Sequence, residues 1–191
     1  MKKSETRCIF ALMRLGSILL ALFFLFACEQ AKPRSYDYIQ YNSIDLTPFD
    51  LTATIMLPNA SAGIGTSMKP TVAYELGGFK WQLSVGRNFT LLIEDYGDYA
   101  YRFAEFKRKL LKPNKFFEIE IVKEAKNILI YRRKVKGEFI AQKNARFYIY
   151  SVRRIGPNYY EIMNREQGDT KKVVDFMYHA IQSLKAKNEH Q

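Results

Sequence analysis

The chain has 191 residues, a formal net charge of +11, two cysteines and two histidines. That length suits one ordinary domain with a sizeable core. So few cysteines and histidines exclude a disulfide-stapled scaffold and leave too few ligands for a zinc centre.

At the N-terminus Lys2, Lys3, Arg7 and Arg14 stand against one acid, Glu5, and an apolar run from Ser17 to Ala27 follows. A positive segment feeding an apolar one has the order of a signal peptide. From Leu15 to Ala27 the apolar stretch is about 13 residues, short of the ~20 that a helix needs to cross a hydrocarbon core. Leu25-Phe26-Ala27-Cys28 resembles the lipobox of bacterial lipoproteins, with small Ala27 just before the cysteine and Leu25 three residues ahead of it. The resemblance implies cleavage that removes residues 1–27 and acylation of the Cys28 thiol. Cys8 would leave with the signal peptide, so the mature chain has no second thiol for an intramolecular disulfide. Each buried CH₂ contributes about 0.8 kcal/mol, and several acyl chains make a durable anchor. Residues 28–35 then read as a lipidated tether, 36–187 as a single domain and 188–191 as a polar tail. The expected location is the cell envelope, and Glu29 after Cys28 resembles an outer-membrane sorting signal rather than an inner-membrane one.

Within the domain Leu51, Ala53, Ile55 and Leu57 alternate with Thr52, Thr54 and Met56 up to Pro58, the pattern of a half-buried strand. A loop rich in Gly, Ala and Ser runs from Asn59 to Lys69. Val72 to Leu76, Lys80 to Val85 and Asn88 to Glu94 read as a meander with Trp81, Leu83 and Val85 on one face. Asp98 is placed to cap a helix reaching about Leu111, with Phe103, Phe106 and Leu110 on one side and Arg102, Lys107, Arg108 and Lys109 on the other. Phe117, Ile119 and Ile121 alternate with acids, and Ile128 to Tyr131 follows after a short turn, predicting a hairpin. Further strands are expected from Phe139 to Ala141, from Arg146 to Arg153 and from Tyr159 to Met163. Asp169 or Thr170 would cap a last helix to about Lys187, striped by Val173, Val174, Met177, Ala180, Ile181 and Leu184. The predicted class is α+β: an antiparallel β-sheet meander with a mid-chain helix and a C-terminal helix packed on it.

The run from Phe49 to Pro58, closing a strand on a proline, together with the long meander and the last helix from Val173 to Leu184, resembles the PsbP-like fold group, which includes DcrB-type bacterial lipoproteins. The likeness is one of layout over about residues 49–187, and Asn59-Ala60-Ser61 follows the proline where an aromatic residue is looked for. It implies an accessory or binding role and transfers no site residue.

Charge is unevenly spread. Cys28 to Tyr101 carries five Lys/Arg and eight Asp/Glu, Arg102 to Arg154 sixteen against five, and Ile155 to the end five against five. Such asymmetry bears on partners and encounter rates. Arg132, Arg133, Lys134, Arg153 and Arg154, set among aromatic residues, form the candidate binding residues of a basic sheet face. Basic residues interleaved with aromatics can also suit nucleic acid, but an exported domain rarely meets it, so the expected partners are the membrane and anionic lipid, lipopolysaccharide or glycan, or an envelope protein complex.

Catalytic groups are scarce. His190 lies in the polar tail, His179 stands beside the apolar stripe of the last helix, and no metal or cofactor is expected. Glu94, Asp95 and Asp98 cluster where a strand gives way to a helix, and paired acids there would be the catalytic alternative. Ser61-Ala62-Gly63-Ile64-Gly65-Thr66 lacks the Gly-Lys-Ser/Thr ending of a phosphate loop and reads as a flexible surface loop. A docking subunit of an envelope complex would instead expose an aromatic patch from Tyr36, Tyr38 and Tyr41 or from Tyr159 and Tyr160. The leading expectation is a non-enzymatic, membrane-anchored lipoprotein with a binding role.

Overall fold

The computed structural model describes residues 39–59, 62–64, 69–75, 77, 79–136 and 146–187. The Cys28 anchor, the tether, Tyr36, Tyr38, the strand expected at 139–141 and His190 lie outside the described residues.

Alternating apolar residues build two antiparallel sheets. Strands β1 (Tyr41–Asp45) and β2 (Ala53–Pro58) pair around a 3₁₀ turn at Thr47–Phe49. Strands β3 (Thr71–Glu75), β4 (Lys80–Val85) and β5 (Phe89–Asp95) form the predicted meander. Helix α1 (Arg102–Leu110) leads to β6 (Phe117–Ala125), β7 (Ile128–Val135), β8 (Phe147–Ile155) and β9 (Asn158–Asn164), and then come α2 (Lys171–Ser183) and β10 (Lys185–Ala186). The large sheet has the order β3-β4-β5-β9-β8-β7-β6, and the small one β1-β2-β10. The chain therefore leaves the middle of the sheet at β5, crosses to the far edge through α1, and winds back until β9 pairs with β5. The fold class is α+β, as the patterning predicts.

Strand parity divides the apolar residues between two faces. Ile149 and Ile155 of β8 join Ile128, Ile130 and Ile162 in the main core, beneath α2 and the small sheet. Tyr150 and Val152, their neighbours in sequence, face the opposite way with Leu129 and Tyr131, where Phe103, Phe106 and Leu110 of α1 cover them. The Phe106 ring stacks on Tyr150 at 3.6 Å. On the other side, all six residues of the predicted α2 stripe are buried, together with Phe176 and Tyr178. The Trp81 indole donates to the Phe49 carbonyl at 2.6 Å, fixing the 3₁₀ turn against the sheet.

Several boundaries differ from the expectations. Asp98 does not cap α1; the helix begins at Arg102 with no side-chain cap. The intervening residues are held to the sheet instead, because Tyr96 donates to the Tyr159 carbonyl and Tyr159 donates to that of Gly97. Neither Asp169 nor Thr170 makes a side-chain cap for α2. The buried Asp169 carboxylate accepts from Asn164 and Arg165. The helix stops at Ser183 rather than near Lys187, since Lys185 and Ala186 pair with Thr54 and Ala53 of β2 and so satisfy backbone groups on that edge. Pro58 is the last residue of β2, opposite Tyr41 of β1. Of the loop expected to be flexible, Ala62 and Ile64 are buried in the main core.

The β6–β7 hairpin turns at Lys126 and Asn127, both with positive φ (37° and 64°). That is the two-residue geometry whose twist matches an antiparallel pair.

Candidate binding surface at the end of helix α1

The five basic residues chosen from the sequence do not share a face. On β7, Arg132 and Lys134 point to the α2 side and both pair with Glu120. The bonds from Lys134 and then Arg132 hold the Glu120 carboxyl below its ordinary pKa. Arg133, between them, points the other way and lies 4.5 Å above the Tyr148 ring. Arg153 donates to the Leu184 carbonyl and Arg154 to that of Gly156. Because Arg132 sits opposite Phe147 in the register, Arg153 lies about 20 Å further along the sheet at ~3.4 Å per residue.

The acidic corner is likewise dispersed. Glu94 pairs with Lys80 at 3.3 Å and accepts from the Tyr96 hydroxyl at 2.9 Å. Asp95 accepts from the Gly97 amide at 2.7 Å and from the Asn158 side chain at 3.0 Å. Asp98 is exposed. Adjacent positions on a strand send Glu94 and Asp95 to opposite faces, so the three carboxylates do not converge on one point. His179 is exposed on α2, its ring edge-on to Tyr178 at 5.7 Å. Among the described residues no group of three or more His, Cys, Asp or Glu is arranged to hold a metal ion.

Tyr160 is buried, Tyr159 packs in the α1-side cluster and Tyr41 packs on the main core, so these three form no exposed aromatic patch. Exposed apolar side chains gather instead where α1 ends and β6 begins: Leu111 is 49% exposed, Phe116 70%, Phe117 37% and Val135 42%.

At this end the structure forms a cleft of about 490 Å³. Its floor is Phe106, Leu110, Phe117 and Ile119, and its rim carries Lys109, Lys112 and Arg133, with Pro113 and Asn114 closing one end. The floor exists because α1 spans only part of the hairpin: Phe106 reaches Tyr150, while the β6 residues beyond it are covered on one side alone. The loop that closes the cleft is held by the Asn114 and Lys136 side chains. Asn114 Oδ1 accepts from the amides of Phe116 and Phe117 at 2.8 and 3.1 Å, and its carbonyl accepts from Lys136 Nζ at 3.0 Å. Lys136 also donates its amide to the Phe116 carbonyl at 2.9 Å.

Every ionisable residue lining this cleft is basic. Lys109 pairs with Glu105 at 2.9 Å, whereas Lys112 and Arg133 have no acidic partner among the described residues. The chain matches no family model, no curated protein and no solved structure.

Of the three rim cations only Arg133 is among the candidate binding residues that the sequence marks; Lys109 belongs to the polar face of its helix, and Lys112 carries no signal beyond its charge. The available signal is the excess of basic residues between Arg102 and Arg154, sixteen against five acids. Its apolar counterpart was hidden, since Phe117 and Ile119 read as ordinary inward-facing strand residues.

Proposed function

We propose that this chain is an envelope lipoprotein, cleaved before Cys28 and held by acyl chains on that residue, whose domain binds another envelope component and does not catalyse a reaction. The observation that carries the binding half is the cleft at the end of α1, where an apolar floor meets a rim of three cations. A domain tethered at a membrane meets anionic headgroups, and basic residues near such a surface contribute roughly 1 kcal/mol each. The contact is therefore centred on Arg133, with Lys109 and Lys112, rather than on all five basic residues chosen from the strands. The anchoring half rests on the basic, apolar and Leu25-Phe26-Ala27-Cys28 segments of the N-terminus. The α+β layout that resembles the PsbP-like group supports an accessory role.

Intact mass and membrane fractionation of the wild type beside Cys28→Ser test the anchor. Loss of residues 1–27, a gain of acyl mass and sedimentation with membranes in the wild type alone are the expected results. Equal mass and equal partition of the two forms would refute it. For the contact, Lys109→Glu, Lys112→Glu and Arg133→Glu together are expected to abolish the protein's preference for vesicles containing phosphatidylglycerol over vesicles of phosphatidylcholine alone. An unchanged preference would remove the anionic partner.

A further inference from the structure

We infer that the α1–β6 cleft binds the phosphate and the adjoining part of one acyl chain of an anionic membrane lipid, the chain on Phe106, Leu110, Phe117 and Ile119 and the phosphate between Lys112 and Arg133. The inference rests on the anionic contact proposed above and names the ligand that makes it.

Three observations carry it. The cleft joins two chemistries within one volume of about 490 Å³, inside the range of roughly 300–1,000 Å³ typical of sites for small ligands. A purely polar anion would neutralise Lys112 and Arg133 but leave the apolar floor wet. A purely apolar ligand would cover the floor and leave both cations without a counter-charge. An amphiphile with a negative head satisfies both, and the lysine and arginine stems can lie along its chain while their charged ends reach the head.

Secondly, the apolar character continues outside the cleft. Phe116, 70% exposed, and Leu111, 49% exposed, directly follow or precede lining residues in the chain. Exposed aromatic and aliphatic residues beside lysines suit the boundary between headgroups and acyl chains, from which a lipid would enter.

Thirdly, the site is formed in advance. The bonds of Asn114 to Phe116 and Phe117, and of Lys136 to Asn114, fix the loop that closes the cleft, so little ordering cost remains for the ligand to offset. A second large concavity, across β3, β4 and β5, lacks this character: its lining includes Glu75 and Glu94, and the one cation in that lining, Lys80, is paired with Glu94.

The test uses full-length protein in bacterial membranes, a phosphatidylglycerol analogue carrying a diazirine in its acyl chain, and a phosphatidylcholine analogue with the same chain. After irradiation, mass spectrometry locates the labelled residues. The expected result is labelling on α1 or β6 by the glycerol form, several-fold above the choline form. Lys112→Glu with Arg133→Glu should lower it to the choline level. Phe117→Ser, a change in the apolar floor, should lower labelling by the glycerol form toward the choline level. Equal labelling by the two analogues, or labels confined to residues outside the cleft, would overturn the inference. In that event, continued sensitivity of vesicle association to the charge reversals would leave the anionic contact standing without a bound lipid.

Discussion

Arg102 Nε donates to Glu161 Oε1 at 2.5 Å, and this one bond joins the first turn of α1 to the middle strand of the large sheet. Glu161 is a buried carboxylate, 5% exposed. Burial works against the charged Arg102 guanidinium, but the bond to Glu161 and its charge outweigh that effect and raise the arginine's pKa. Arg102 also lies 4.5 Å above the Tyr96 ring. Burial, and after it Glu161, pushes the neighbouring Tyr150 phenol up.

Removing one partner of this pair leaves a buried charge uncompensated. Arg102→Ala is expected to cost about 2–3 kcal/mol of stability. Arg102→Ala combined with Glu161→Gln should recover part of that loss. Denaturant unfolding of the two single variants and the double variant measures the coupling, and strictly additive effects would show that the pair contributes nothing.

Tyr160 gives the fold an alkaline limit. Burial, and next the charge of Asp95, pushes its phenol up from an ordinary value of 10.0 to about 12. A raised pKa means that the folded state holds the proton more tightly. The resulting stabilisation is fully present below about pH 10 and is lost as pH rises from there through about 12. Tyr160→Phe should flatten the decline of unfolding free energy across that window. An unchanged slope would assign the alkaline loss to other groups.

Gly168 has a φ of +67°, and a Cβ built on it would stand 2.9 Å from Tyr148 Cζ and 3.1 Å from the Phe147 carbonyl oxygen. The left-handed backbone alone costs a residue with a side chain about 1–3 kcal/mol, and the contact with the carbonyl adds to this. Gly168→Ala is therefore expected to lower the melting temperature markedly. A melt within error of the wild type would contradict the crowding.

Asp95 and Asp98 separate a structural acid from an idle one. Asp95→Ala removes the acceptor for Gly97 and Asn158 and is expected to cost about 1–3 kcal/mol. Asp98→Ala touches no cap and should stay within about 0.5 kcal/mol. If Asp98→Ala proved the more damaging in chemical denaturation, the expected cap would be restored.

Local patterns determined much of this protein from its sequence. The period of two in Trp81, Leu83 and Val85, and the three- and four-residue spacing of Phe103, Phe106 and Leu110, each specify a buried face within a single element, and neither depends on which partner covers it. The opposite orientations of Arg132 and Arg133 are also legible, since adjacent strand residues face opposite ways, so basic residues at consecutive strand positions cannot form one face. Cys28 and its preceding segment are likewise a local signal.

What the tertiary structure decided is everything that depends on pairing between distant segments. The return of β9 to β5 sends α1 across the sheet, and the shortness of α1 leaves Phe117 and Ile119 half-covered beside Lys112 and Arg133. Lys185 and Ala186 become a strand because β2 offers them an edge, overriding continuation of the helix. Asp98 loses its cap because the backbone at Gly97 binds Tyr159, a residue sixty-two positions away. Periodicity reports which side of an element avoids water; it carries no information about the register and strand order that determine where two half-covered surfaces meet.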